Sequence, residues 1–181
     1  MYYQLISNRM NIHPIVVHFP VALLTLYSIF ELLRFKFLTQ KPYWFYVKAV
    51  FVIVGSALSF VALASGSTAL HALANNPPNR TLINLHKSLA GFSVFIFAVI
   101  AVLYIIAWIK RSRPDLFFRL GILGKILLYI EHLLLETPLI LFLAFVGLCA
   151  IVLTGGFGGA IVYGTNFDPL MRPIFNWFYI P

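Results

Sequence analysis

Four long stretches of this chain contain no Asp, Glu, Lys or Arg: Met10 to Phe30 (21 residues), Ala49 to Asn79 (31), Ser88 to Ile109 (22) and Thr137 to Phe167 (31). Each holds the roughly 20 apolar residues that cross a hydrocarbon core about 30 Å thick. In that solvent only helices and closed barrels satisfy their own backbones, and runs of this length select helices. The rest of the composition agrees: 61% of the 181 residues are hydrophobic and 10% are charged, against about a quarter charged in soluble domains. A soluble enzyme, a disulfide scaffold and a disordered tail protein are excluded. The expected fold is an all-α, integral membrane four-helix bundle, one domain over 1–181, with helices at about 12–34, 46–71, 83–109 and 138–163.

The first run is too long for a secretory leader, contains Pro14 and Pro20 and lacks a small-x-small cleavage site, so it is expected to remain as a helix. Cys149 is the only cysteine, which excludes an intrachain disulfide, a Cys-x-x-Cys site and covalent c-type haem attachment. In the fourth run it reads as a small buried residue. The net charge of +8 comes from bases that flank the apolar runs, so it reports topology and not nucleic acid. Arg34, Lys36, Lys41 and Lys48 surround the first connection, and Lys110, Arg111, Arg113, Arg119 and Lys125 the third. Only Arg9, Arg80, Lys87 and Arg172 lie elsewhere. Positive charge collects on the cytoplasmic side, which puts both termini outside, in the periplasm of a bacterium.

Between the third and fourth spans, 115–136 is apolar but interrupted. At 100° per residue Asp115, Arg119, Lys125, His132 and Glu136 share an arc of about 140°, with Glu131 the outlier. This predicts an amphipathic helix lying in the cytoplasmic interface, with a fifth crossing as the alternative. In the tail, Phe175, Trp177, Phe178 and Tyr179 form an aromatic cluster of the kind that anchors at headgroup level. No internal repeat stands out.

Histidines are the unusual polar chemistry. In this topology His13 and His18 (first helix), His71 (end of the second) and His86 (start of the third) gather toward the outer face, and His132 lies on the other side, on the polar face of the amphipathic helix. Ionisable residues inside a membrane call for a functional hypothesis, and imidazoles from facing helices can ligate a haem iron axially. At 1.5 Å per residue His18 and His86 sit at matching depth and form the expected pair. Gly55, Gly66 and Gly91 allow close approach of a flat ring, or simply pack helices. Arg80, Lys87 and Arg9 are candidate partners for propionates.

His13 is five positions from His18, rotated about 140°, so the two serve different neighbours. His13 before Pro14 also marks a helix entry, and His71 suits a wet helix end. Pro20 frees a carbonyl near Val16 and predicts a bend beside His18. Thr154-Gly155-Gly156-Phe157-Gly158-Gly159 lacks the lysine of a phosphate-binding loop and reads as close helix packing or a locally unwound, cofactor-facing stretch. Ser65, Ser67 and Thr68 are helix-end hydrogen bonders, since no acid accompanies them to build a nucleophile set.

The segment His13-Pro14-Ile15-Val16-Val17-His18-Phe19-Pro20-Val21-Ala22-Leu23-Leu24 resembles the opening of the bacterial membrane protein family called domain of unknown function 2231. His86-Lys87-Ser88-Leu89-Ala90-Gly91 resembles its third-helix histidine, and Thr154-Gly155 through Gly158-Gly159-Ala160-Ile161-Val162-Tyr163 its final helix. Two features depart from the pattern: Gly156 stands where members often carry a histidine, and the segment from Pro114 to Pro138 is longer and more apolar. The resemblance implies a four-helix protein of the bacterial inner membrane, with a histidine pattern that has invited the idea of b-type haem, and supplies no established reaction.

The leading expectation is a non-covalent haem b between His18 and His86, passing electrons to respiratory or redox membrane subunits, with no independent catalytic activity. The alternatives are a structural or accessory subunit with packing histidines, and a metal-ion site or permease using His13, His18, His71 and His86. The last is weakened because no acid lies within the four runs to balance a cation.

Overall fold

The computed structural model describes residues 12–72, with 70–72 as backbone alone, and 80–178. Arg9, Tyr179 and the side chain of His71 lie outside the described residues. Four helices are long and apolar enough to cross a membrane: α1 (His13–Leu32), α3 (Pro42–Ala72), α4 (Arg80–Ser112) and α7 (Leu139–Tyr163). A short α2 (Lys36–Thr39) follows α1, and α5 (Pro114–Arg119) and α6 (Gly121–Leu135) separate α4 from α7. A last short helix, α8 (Arg172–Trp177), closes the described chain, and no strand occurs among the described residues. The protein is a multi-pass membrane protein.

The four spans run alternately up and down and form a ring in which α1 touches α3, α3 touches α4, α4 touches α7 and α7 touches α1. α1 starts at His13 with Pro14 in its first turn, where a missing N–H costs nothing, and continues through Pro20. Leu24, Tyr27, Val52, Phe97, Ile100, Tyr104, Ile140 and Ala144 fill the centre. Phe95, Phe145 and Val152 point outward, as lipid-facing residues do. Cys149 also faces outward and is exposed, a correction to its reading as a buried residue: the apolar environment its run implies is here the lipid side of α7.

Although the sequence displays no repeat, the packing does. Moving 73 residues along, from His13 to His86, carries every buried residue of α1 (Pro20, Leu24, Tyr27, Ser28, Glu31) onto a buried residue of α4 (Ser93, Phe97, Ile100, Ala101, Tyr104). A matching step of 92 carries Gly55 and Gly66 of α3 onto Gly147 and Gly158 of α7. The contacts follow: a Cβ at Gly55 would stand 2.8 Å from Leu24, and one at Gly147 2.7 Å from Phe97. The α1–α3 and α4–α7 hairpins are thus related by a pseudo-two-fold axis along the bundle. Only contact positions preserve it, because elsewhere any apolar residue satisfies lipid.

The segment expected as one amphipathic helix over 115–136 is two helices. The chain turns at Leu120 and Gly121, whose φ of +57° suits glycine. At fifteen residues, α6 is shorter than a span requires. Glu131, the outlier of the charged arc, is 1% exposed and turned inward, where its Oε2 accepts from Lys110 Nζ at 2.8 Å.

Candidate functional site

At the end of the bundle where α1 and α4 begin, two imidazoles lie against the last turns of the helices antiparallel to them. His86, half-buried, sets its Nδ1 2.9 Å from the carbonyl of Thr154 on α7. A carbonyl only accepts, so Nδ1 carries the proton and the ring's lone pair is on Nε2. The ring lies over Gly158, where an added Cβ would come within 3.0 Å of Cε1.

His13 repeats this arrangement on α3. Its Nδ1 is 2.8 Å from Ser65 Oγ, and the Ser65 hydroxyl donates to the Ala62 carbonyl at 2.8 Å. His13 Nδ1–H is therefore the donor to Oγ, and Nε2 again holds the lone pair. Its Cε1 stands 3.0 Å from where a Cβ of Gly66 would be, and it also engages the backbone of Ala62, the counterpart of Thr154. The two imidazoles are close enough to act on each other electrostatically.

His18 is placed differently. Its ring is exposed and its Nδ1 donates to the carbonyl of Pro14 in its own helix. Arg80 and Lys87 are exposed at the start of α4, at the same end as His13 and His86. His132 is on the other side of the bundle, 2.9 Å from Glu136. Among the described residues no three His, Cys, Asp or Glu side chains gather as a metal cluster.

The glycine-rich stretch of α7 is continuous helix, which settles its two readings in favour of close packing. Gly158 seats His86, Gly159 lies under Phe167 and Gly156 under Met171. Met171 and Phe175 join Leu82, Phe157 and Ala160 in a second buried cluster. The tail thus folds back over the ends of α4 and α7, with Phe175 edge-on to Phe157 at 5.6 Å. Trp177 remains 81% exposed, so only part of the aromatic cluster is left for headgroups.

The opposite end holds a polar cluster that the sequence does not disclose. Glu31 is 2% exposed. Its Oε2 accepts from Lys48 Nζ at 2.8 Å and from the Tyr104 hydroxyl at 2.7 Å. Arg34 approaches Oε1 at 3.6 Å. Tyr27 packs edge-to-face on Tyr104, with ring centroids 5.7 Å apart. The available signal was that Glu31 is one of only five acids, at the very edge of an apolar run.

A family model described as "Predicted membrane protein (DUF2231)" matches residues 9–167. No curated protein and no solved structure matches the chain.

Proposed function

The chain belongs to the DUF2231 family of predicted membrane proteins, and from that footing we propose that it is a redox subunit holding a non-covalent haem b at the histidine end. The observation that carries the proposal is His86: its tautomer and orientation are set by the Thr154 carbonyl, the outer hydrogen bond that metal-ligating histidines use to fix the ring. The donor chemistry fits a haem. The end offers neutral imidazoles, and among the described residues no three His, Cys, Asp or Glu side chains gather there. A bare divalent ion needs four or more donors, whereas a porphyrin brings four in-plane nitrogens and its own negative charge and needs only axial ligands.

In this reading His86 and a histidine of α1 would hold the haem iron. Arg80 and Lys87, exposed at the head of α4, pair with the propionates. When bound, the haem supplies one-electron chemistry; the protein binds it, orients its ligands and excludes water by the tail packed over α7. The partners are other redox subunits of a bacterial inner membrane, with the histidine end and both termini on the periplasmic side and the α5–α6 elbow at the cytoplasmic interface.

A spectrum of detergent-purified protein expressed with ample haem is expected to show a Soret band that His86→Ala removes or shifts. A protein without that band refutes the proposal. The second reading is a structural subunit, favoured by the glycine seats, which pack both rings tightly; under it His86→Ala lowers the unfolding temperature and leaves no cofactor to lose.

A further inference from the structure

The pseudo-two-fold relation makes a specific demand on the histidine end. Residues related by the axis occupy equivalent positions about it, and His13 and His86 are so related. They match in ring seat (Gly66, Gly158), in side-chain tautomer and in the backbone position each engages, Ala62 and Thr154, four residues before its glycine. The ring of helix contacts obeys the same axis, exchanging α3–α4 for α7–α1. His18 does not share in this. Five residues past His13 it is rotated about 140°, its ring is exposed, and its counterpart in α4, Gly91, carries no donor.

We infer that His13 and His86 are the two equivalent halves of one bis-imidazole site on the pseudo-two-fold axis, and that this pair, not His18 with His86, supplies both nitrogens to the ligand. The site takes a metal already chelated in a plane, because two neutral nitrogens on opposite sides complete such a complex and hold nothing else tightly. The identity of that ligand rests on the haem reading; the pairing of the two side chains does not.

Two experiments separate these. In apoprotein carrying Cys149→Ser, the pair His13→Cys with His86→Cys is treated with a short bis-maleimide, and His18→Cys with His86→Cys is the control. The 13/86 protein is expected to gain one linker bound at both thiols, and the 18/86 protein to gain two linkers each bound once. Reversal of that pattern overturns the pairing. Haem titration of His13→Ala, His18→Ala and His86→Ala then tests ligation. The first and third are expected to lose the six-coordinate spectrum, and His18→Ala to keep it. Gly66→Ala and Gly158→Ala, which push on the rings without removing them, are each expected to weaken binding by about tenfold. Loss of the six-coordinate spectrum in His18→Ala with retention in His13→Ala refutes the inference and leaves haem binding intact. Bridging in the 13/86 double-cysteine protein, together with a wild-type protein that takes up no haem, refutes the haem reading and leaves the pairing.

Discussion

Glu31 is the residue on which the end of the bundle opposite the histidines depends. A carboxylate 2% exposed survives there because Lys48, Tyr104 and Arg34 surround it. Removing one member of a buried ion pair leaves the other uncompensated and costs about 3–5 kcal/mol. Glu31→Ala is therefore expected to lower the detergent-solution unfolding temperature sharply, and Glu31→Ala with Lys48→Met to recover much of the loss. Equal loss in the single and double variants contradicts this. The sequence made Glu31 and Lys48 look like markers of the membrane boundary, which they also are. Tyr104 was counted among the apolar residues of its run, and nothing in its spacing shows that it reaches Glu31 across the bundle. His86 was legible as a ligand candidate because a histidine in an apolar helix is conspicuous. The proximity of His13 to it was not, since depth along an axis says nothing about which way a side chain turns.

Among the elements, the spans were legible because lipid imposes length and apolarity on each helix independently. The segment before the last span was less so. Its charged arc was drawn at 100° per residue through a continuous helix, and Gly121 breaks that continuity. A left-handed φ costs roughly 1–2 kcal/mol for a residue with a Cβ, so Gly121→Ala is expected to destabilise by about that amount. Gly124→Ala is expected to do more harm, since its Cβ runs into the backbone carbonyl of Phe117. Gly155→Ala, with nothing within 4 Å of the new carbon, is the neutral control. Limited proteolysis at the elbow, alongside thermal unfolding, checks the order; a Gly155→Ala protein as unstable as Gly124→Ala defeats it.

For the whole molecule, we propose from the nine bases around two connections against four elsewhere that the histidine end faces outward. In a Cys149→Ser background, Leu170→Cys, at an exposed tail position, is expected to react with a membrane-impermeant maleimide added to spheroplasts, and Thr39→Cys only after lysis. The opposite pattern inverts the protein. The hairpin relation escaped the sequence because it survives in contacts and not in residue identity: Leu24 and Phe97 do the same job with different side chains, and Glu31 and Tyr104 are equivalent in place yet complementary in chemistry.

That last pair also bears on how the chain is made. Synthesis delivers α1 and α3 before α4, so a carboxylate and an ammonium bound 2.8 Å apart already neutralise each other within the first hairpin. The second half adds the Tyr104 hydroxyl, which donates a charge-assisted hydrogen bond to Glu31, and Arg111, whose guanidinium lies over the Phe45 ring at 3.7 Å, so the two halves meet at Glu31 without a further carboxylate to bury.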